Sequence, residues 1–314
     1  MKAVRFHEYG EPDVLRYEDV AQPVPGAGEV RVRVAATTFN LVDDGIRGGW
    51  LREAFPVTLP HTPGIEVAGT VDALGEGVAG PAVGDEVIGF LPMVPDGAAA
   101  EYVVAPADVL TAAPRSIPLS DAAALPMVGL TAWQAVVEDA KLTAGQRVLI
   151  NGAGGAVGGY AVQLAKHAGA YVVATGSPRT AERLRSAGAD EVVDHTTTDV
   201  VAAVTEPVDV LLNLASITPE QLSALAGRVR DGGVVVNTVP RTPAPADEAR
   251  GVRAVDVFVR DDAETLARLV GMVDRGELRV DVDRRVPLPD LPAVHAEAAA
   301  GTLRGKVVVL PAIG

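Results

Sequence analysis

Residues 145–166, GQRVLINGAGGAVGGYAVQLAK, contain the pattern that decides the fold. An apolar run of strand length at 147–151 ends in a glycine cluster, and a helical pattern follows over 157–168. A strand, a glycine turn and a helix in this order place a helix N-terminus against a pyrophosphate. Glycine is needed because a Cβ would keep the backbone N–H groups away from the phosphate oxygens. The stretch predicts a dinucleotide site that contains Gly152, Ala153, Gly154, Gly155, Ala156, Val157 and Gly158.

The two sides of this stretch differ in their secondary-structure pattern. Residues 1–117 alternate short β-type runs with Gly and Pro turns, which is typical of a compact β-rich, barrel-like unit. The tail contains a helical pattern over 262–276 and then returns to β-type runs. We therefore expect residues 260–314 to rejoin residues 1–117 in one discontinuous domain.

From about residue 120 the pattern is that of an α/β unit. Six short apolar runs alternate with helical stretches, which predicts a Rossmann fold with a doubly wound parallel six-stranded sheet. We assign residues 118–259 to this domain. The predicted strands are 148–151, 171–175, 191–194, 208–212, 234–238 and 254–259, and the predicted helices are 157–168, 179–187, 199–204 and 219–229.

The composition argues against several classes of partner. The chain has 27 Lys and Arg against 41 Asp and Glu, and its formal net charge of −14 disfavours nucleic acid and anionic membrane surfaces. It has no cysteine, so disulfides and thiolate zinc sites are excluded, as is typical of a cytoplasmic protein. The N-terminus lacks the apolar core of a signal peptide, and the longest apolar run, 122–137, is too short to span a bilayer. We expect a cytoplasmic protein that acts on a small molecule.

A set of short motifs matches one known family. Around the glycine turn the matching positions are Gly145, Gln146, Leu149, Ala153, Gly154, Gly155, Gly158, Gln163 and Lys166. Elsewhere they include Asn40 with Asp43 and Arg47, Gly64-Ile65-Glu66, Val83-Gly84-Asp85 and Arg304-Gly305-Lys306. The chain resembles the quinone oxidoreductase (zeta-crystallin-like) family of zinc-free medium-chain dehydrogenases/reductases.

The resemblance implies a GroES-like catalytic domain, a Rossmann domain between its two parts, a nicotinamide cofactor in the cleft and a homodimer. The chain departs from the family signature at Ala156, where the signature has Gly. The resulting GAVG form is similar to the leukotriene and enoyl reductase branches, so an enoyl or ketone reductase of a biosynthetic pathway is the alternative function. A non-catalytic NADPH-binding protein is a further alternative.

The resemblance also bears on metal. Zinc-dependent members of the superfamily place His directly before the position of Glu66, whereas this chain has Ile65, which has no donor atom. A tetrahedral zinc site needs about three protein ligands. His61 with Asp43, Asp44 and Glu66 could supply some of them, but we expect no metal site, with Glu66 as a structural carboxylate and Asp85 as a turn residue.

The segment after the second Rossmann strand indicates which nicotinamide cofactor binds. An NAD-selective fold has Asp or Glu there, about 20 residues past the glycine turn, and residues 174–179 contain no acid. Ser177 can bond a 2′-phosphate and Arg179 can pair with it, although a solvated helix N-terminus would look similar. His195 stands where relatives often have a Tyr, or is a surface His. We predict NADPH, bound at this end by Thr175, Ser177, Arg179 and His195.

Without zinc there is no Lewis acid to polarise a plain alcohol or ketone, so hydride transfer suits a quinone or an α,β-unsaturated carbonyl. Asn40 and Thr131 would donate to the developing enolate oxygen. His61 would deliver a proton or be a polar loop residue. Trp50 would stack on a flat substrate or be a core or edge aromatic. By resemblance, the residues that line the cleft are Asn40, Asp43, Trp50, His61, Thr131, Leu214 and Val239.

Overall fold

The computed structural model describes residues 1–240 and 242–311, which form two compact units. The first contains Met1–Met127, Asp261–Gly276 and the chain from Val280 onward, and the second contains Val128–Arg260 with Glu277–Arg279. Elements are numbered in chain order as β1–β15 and α1–α9. None of the helices within the described residues is long and apolar enough to cross a membrane.

The first unit is the β-rich one. Its strands are β1 Lys2–Phe6, β2 Leu15–Asp19, β3 Glu29–Thr38, β4 Glu66–Leu74, β5 Glu86–Phe90, β6 Tyr102–Pro106, β7 Leu110–Ala112, β14 Arg284–Pro287 and β15 Val307–Leu310. Its helices are α1 Leu41–Arg47, α2 Leu119–Ala122, α8 Ala263–Asp274 and α9 Leu291–Ala299. Seven strands form one sheet in the order β14-β15-β3-β4-β5-β7, with β6 paired to β3, and β1 and β2 form a separate antiparallel pair.

Strand β3 shows why this segment folds as a strand. Val30, Val32 and Val34 are buried and alternate with Arg31 and Arg33, so one face of the pleat enters the core and the other carries charge. The return of β15 to pair with β3 makes the unit discontinuous, as the tail pattern predicts.

The boundary between the units differs from the predicted one at 117/118. Residues 118–127 lie in the first unit because α2 packs on β3 and β4. In addition, the Met127 N–H donates to Glu66 Oε1 at 2.7 Å. Residues 277–279 in turn lie in the second unit, where Gln163 and the Arg279 backbone exchange two hydrogen bonds.

The second unit is the predicted Rossmann fold. Its strands are β8 Arg147–Asn151, β9 Tyr171–Gly176, β10 Glu191–Asp194, β11 Val208–Asn213, β12 Val229–Asn237 and β13 Arg253–Asp256. All six are parallel, in the order β10-β9-β8-β11-β12-β13. The helices are α3 Pro126–Trp133, which starts at the end of the first unit and continues as a π-helical segment Gln134–Asp139, then α4 Ala156–His167, α5 Ala181–Ser186, α6 Val200–Ala203 and α7 Pro219–Ala226.

Three predicted elements differ from the observed ones by three residues or more, and the largest difference is the strand predicted over 234–238, which begins at Val229. The helix predicted over 219–229 stops at Ala226, because Val229 already pairs with Val208 and opens β12. The strand predicted over 254–259 stops at Asp256. Each central strand contains an apolar run, with Leu149, Leu211 and Val235 fully buried, as is usual where helices cover both faces of a parallel sheet. The strand order reverses between β8 and β11, which is where open α/β sheets bind ligands at the carboxyl ends of their strands.

Candidate functional site

The glycine turn after β8 has the geometry that a dinucleotide needs. Gly152 has a φ of +84°, and a Cβ there would lie 2.9 Å from the Ala215 nitrogen. A Cβ on Gly158 would lie 2.3–2.5 Å from the Ala153 backbone, so only glycine lets α4 approach the turn. Since α4 begins at Ala156, the N–H groups of its first turn have no acceptor within the helix. These groups and the helix dipole fit an anionic pyrophosphate.

The end of β9 holds the residues predicted to select the cofactor. The His195 N–H donates to the Gly176 carbonyl at 3.1 Å, so His195 and Ser177 lie at the same end of β9. Arg179 is exposed in the turn before α5. Asp194 is the acid paired with Gly176 in the sheet, but its carboxylate accepts the Thr196 N–H at 2.9 Å and hydroxyl at 2.6 Å. This edge therefore offers cationic and neutral donors, while Asp194 is engaged in its own turn.

Arg183 on α5 contacts the glycine turn, and sequence reasoning did not select it. Its Nη2 donates to the Gly154 carbonyl at 2.6 Å, so a half-buried guanidinium joins α5 to the glycine turn. An Arg in a solvated helix pattern gives no sequence signal that it faces inward. This contact brings a positive charge to the glycine turn, in addition to that of Arg179, which precedes the same helix.

Leu214 and Val239 both follow strands that end beside the glycine turn. The Leu214 N–H donates to the Asn151 carbonyl at 2.8 Å, and the Val239 carbonyl accepts from Asn237 Nδ2 at 2.9 Å. The buried asparagines that carry these contacts were not predicted as site residues. A signal was available, because three apolar strands end in the same residue: Leu-Ile-Asn151, Leu-Leu-Asn213 and Val-Val-Asn237.

In the first unit, Asn40 belongs to a buried polar cluster. Lys306 Nζ donates to both Asn40 Oδ1 and Glu66 Oε2 at 2.6 Å, and Asn40 Nδ2 donates to Glu66 Oε2 at 2.9 Å. The Thr38 hydroxyl also donates to this carboxylate oxygen. One N–H of the Asn40 amide is thus engaged by Glu66, and the other donates to Thr38 Oγ1 at 3.4 Å, so its predicted bond to a substrate oxygen would have to replace this longer bond. Glu66, fully buried, has the structural role that the sequence predicts.

Asp43 is buried in the first turn of α1. Its Oδ2 accepts the Asn40 N–H and its Oδ1 accepts the Gly64 N–H, both at 3.0 Å. Burial raises the pKa of Asp43 to about 6, against the opposing effect of these two bonds and of Lys306. The carboxylate thus holds α1 to the segment before β4, and its predicted contact with substrate stays a prediction.

His61 lies near Asp43 but is not a free loop residue. Its backbone pairs with that of Phe6, its ring packs edge-on against the Phe6 ring at 5.4 Å, and its exposure is 4%. Asp43 and His61 border the same cavity, whose volume of about 10 Å³ holds at most one water. Burial lowers the pKa of His61 to about 4, although Asp96 opposes the shift. His61 is therefore neutral at pH 7 and does not carry the second ring proton of an imidazolium acid.

This pKa predicts how His61 affects stability in acid. Unfolded His titrates near pH 6.5, so between pH 6.5 and about 4 the unfolded chain takes up a proton that folded His61 refuses. Its contribution is complete above pH 6.5 and is lost as the pH falls. From pH 7 to 5 the unfolding free energy of the wild type should therefore fall by about 2 kcal/mol more than that of His61→Gln. Urea denaturation at both pH values measures this difference.

Exposed His7 provides the control for this prediction. His7→Gln removes an imidazole that is exposed in the folded protein, so a pH effect found in His61→Gln beyond that in His7→Gln reports burial. Asp43 and His295, whose pKa values are also shifted by burial, are unchanged in both variants, so their effects cancel in the comparison. Parallel curves for His61→Gln and the wild type would contradict the burial argument.

The other predicted residues divide between the units. The Trp50 side chain is 60% exposed, so it is not a core aromatic. Thr131 is buried in α3. Asn40, Asp43, Trp50 and His61 belong to the first unit, and Thr131, Leu214 and Val239 to the second. Their meeting in one cleft stays a prediction. Across residues 1–240 and 242–311, no three His, Asp or Glu side chains are grouped so that they could hold a metal ion.

Comparisons with known proteins agree with this architecture. Residues 26–115 match the family described as alcohol dehydrogenase GroES-like domain, and residues 187–309 match the one described as zinc-binding dehydrogenase. The chain is 33% identical over 327 residues to the chloroplast envelope quinone oxidoreductase homolog of Arabidopsis thaliana, with 99% of this chain and 98% of the relative covered.

Solved structures give the same result. The quinone oxidoreductase from Coxiella burnetii has a TM-score of 0.91 and 28% identity, with 99% of each chain covered. The CurK enoyl reductase has a TM-score of 0.84 and 28% identity, with 98% of each chain covered. The chain therefore belongs to the quinone oxidoreductase family of the medium-chain dehydrogenases/reductases, oxidoreductases that use a nicotinamide cofactor and a small-molecule substrate.

Proposed function

We propose that the protein is an NADPH-dependent oxidoreductase that transfers hydride to a quinone or an α,β-unsaturated carbonyl without a metal ion. The observation that carries the proposal is the end of β9, where Ser177 and Arg179 follow Gly176 and Asp194 is engaged in its own turn. A 2′-phosphate fits donors and positive charge, whereas a 2′-hydroxyl is selected by a free carboxylate. The bound dihydronicotinamide would supply the hydride.

The chain's own residues would bind and orient the cofactor. The turn of Gly152, Ala153, Gly154, Gly155, Ala156, Val157 and Gly158 would hold the pyrophosphate. Thr175, Ser177, Arg179 and His195 would surround the 2′-phosphate end. Leu214 and Val239, which follow the carboxyl ends of β11 and β12, would lie toward the nicotinamide.

At the substrate we propose hydrogen bonding rather than proton donation by the protein. Asn40 and Thr131 are the proposed donors to the oxygen that gains negative charge. Lys306 bonds Asn40 Oδ1 and so fixes the amide with its Nδ2 side toward Glu66. Because burial keeps His61 neutral by lowering its pKa to about 4, the proton would come from solvent. Asp43 and exposed Trp50 are proposed to shape the substrate site.

A dedicated enoyl reductase is the second candidate function. The Ala156 departure from the family signature and the similarity to the CurK enoyl reductase favour it. A cytoplasmic location and a homodimer are further proposals, supported by the absence of cysteine and by the family resemblance.

NADPH oxidation with a panel of quinones and enones tests these functions. We expect turnover with at least one acceptor, undiminished after prolonged treatment with a chelator. Turnover confined to enones would favour the second candidate. Tight NADPH binding without turnover of any acceptor would indicate a binding protein instead. Activity lost on chelation and restored by zinc would overturn the metal-free mechanism.

Asn40→Ala should lower turnover more than His61→Ala does. Loss of a donor of this kind lowers kcat about 10²-fold. Loss of a general acid would lower kcat by ~10²–10⁴-fold. Since neutral His61 is not proposed as the acid, His61→Ala should lower kcat by no more than about tenfold. The measurement is steady-state kcat for both variants, with NADPH binding confirmed by titration. Abolished turnover in His61→Ala with intact NADPH binding would make His61 the proton donor.

A further inference from the structure

Five parallel strands of the second unit carry a hydrogen-bonding side chain at one level beside the glycine turn. In sheet order they are Thr175 on β9, Asn151 on β8, Asn213 on β11, Asn237 on β12 and Asp256 on β13, here called the asparagine ladder. The strand register places Asn151 opposite Asn213, Asn213 opposite Asn237, and Asn237 opposite Asp256. The three asparagines are at most 6% exposed. Each ends a strand whose preceding two residues are apolar.

The ladder is a continuous chain of hydrogen bonds. The Thr175 hydroxyl donates to Asn151 Oδ1 at 3.0 Å, and Asn151 Nδ2 donates to Asn213 Oδ1 at 2.8 Å. Asn213 Nδ2 donates to Asn237 Oδ1 at 2.9 Å, and Asn237 Nδ2 donates to Asp256 Oδ1 at 2.8 Å. Bonds of this kind are strengthened in a low-dielectric interior and polarise one another.

The direction of hydrogen-bond donation along the ladder is fixed at both ends. At one end the Gly152 N–H, which can only donate, bonds Thr175 Oγ1 at 2.8 Å, so the Thr175 proton must point to Asn151. At the other end the Asp256 carboxylate can only accept, so Asn237 must present its Nδ2. Both constraints give the same orientation to every amide between them. The hydrogen bonds of the ladder therefore all run in one direction, from Thr175 to Asp256.

The ladder also ties down the segments that follow the strands. On β9, Thr175 Oγ1 accepts the N–H of Gly152 in the glycine turn. At the middle strand Asn213 Nδ2 bonds the Ala215 carbonyl at 3.1 Å. On β12, one N–H of Asn237 Nδ2 bonds Asp256, and the carbonyls of Val239 and Thr242, both 2.9 Å from Nδ2, share the other. The glycine turn, the segment after β11 and the segment after β12 are thus all hydrogen-bonded to the same row of side chains.

We propose that the asparagine ladder positions the cofactor-binding segments, with Asn213 at its centre as the main positioning residue. This inference rests on the proposed binding of a nicotinamide dinucleotide along this edge. A buried row of amides is not needed to hold the strands together, since apolar side chains would fill the same level without a risk of unpaired polar atoms. Segments that are held in the bound conformation need less ordering when the ligand binds.

The test is direct titration of NADPH and NADH binding by protein fluorescence, at a temperature well below the unfolding transition of each variant. Asn213→Leu removes both links of the central residue at similar volume. We expect the Kd of NADPH and of NADH to rise by the same factor, about tenfold, which corresponds to one or two hydrogen bonds. The KM for quinone at saturating NADPH should change less than twofold. Asp256→Ala at the exposed end should weaken both cofactors about threefold.

Leu222→Ala is the control for general destabilisation. Leu222 is fully buried on α7 and makes none of the hydrogen bonds of the ladder, so this variant should unfold at a lower temperature and still bind both cofactors as the wild type does. Wild-type affinity in both ladder variants, or an equal loss of affinity in Leu222→Ala, would overturn the positioning role. If Asn213→Leu fails to fold, Asp256→Ala decides: a threefold loss supports the ladder and none overturns it. A wild-type protein that binds neither cofactor would refute the proposed function instead.

Discussion

Arg179→Ala is expected to weaken NADPH binding by ten- to a hundredfold and to leave NADH binding nearly unchanged. A charge-assisted hydrogen bond contributes roughly 1.5–3 kcal/mol, which is about that factor in Kd. The guanidinium is exposed in the turn between Gly176 and α5, so its removal should disturb no packing. The wild type should bind NADPH at least tenfold tighter than NADH. Equilibrium titration of the wild type and of Arg179→Ala with each cofactor gives the four Kd values that test both statements.

Arg185 supplies the matched control. It is exposed on α5, and it lies farther along the helix from the end of β9. Arg185→Ala removes the same charge from α5, six residues farther along the chain, and should leave the NADPH to NADH ratio of affinities unchanged. Equal losses of NADPH and NADH affinity in Arg179→Ala would remove Arg179 from the phosphate site. The pattern also separates Arg179 from Asn213, whose substitution should affect both cofactors equally.

The sequence predicted the fold well because local signals and the strand periodicity agree. The stretch 147–168 has a strand, a glycine turn and a helix within one residue of the predicted bounds. The six parallel strands lie where apolar runs predicted them, because strands buried on both faces have continuous apolar sequences. The ends of 219–229 and 254–259 were less predictable, since strand pairing decides where an element stops.

The site was predictable only where function depends on the backbone. Glycines at 152 and 158 report a close approach that no other residue allows. By contrast, Arg183 and Lys306 act through contacts with Gly154 and Glu66, which are distant in sequence. His61 illustrates the same limit, because its type suggests a proton donor whereas its burial lowers its pKa to about 4. Burial and partner are properties of the fold, which a single residue type does not reveal.

Lys306→Met is expected to produce the largest loss of stability. Lys306 is 3% exposed, and its Nζ lies 2.6 Å from the Glu66 carboxylate, which is fully buried. Substitution by Met approximately preserves the length of the side chain, but the buried Glu66 carboxylate then keeps only neutral hydrogen-bond donors. Removing one partner of a buried ion pair typically costs about 3–5 kcal/mol. The measurement is the urea midpoint of unfolding, with the slope checked for unchanged exposure of surface.

The exposed pair of Lys2 and Asp19 is the control for charge removal, because its Nζ–Oδ2 distance of 2.7 Å is nearly the same. Lys2→Met should shift the urea midpoint little, since exposed ion pairs are weak.

The double variant Lys306→Met with Glu66→Gln tests whether the loss comes from the unpaired charge. Both charges are then absent, and the Asn40 amide, no longer bonded by Lys306, is free to turn its oxygen toward the new amide at position 66. We expect the double variant to recover most of the stability that Lys306→Met loses, because the penalty of a buried pair lies in leaving one charge alone. A double variant no more stable than Lys306→Met would show that the loss comes from packing around the Lys306 side chain. Equal shifts in Lys306→Met and Lys2→Met would show that burial adds nothing to this ion pair.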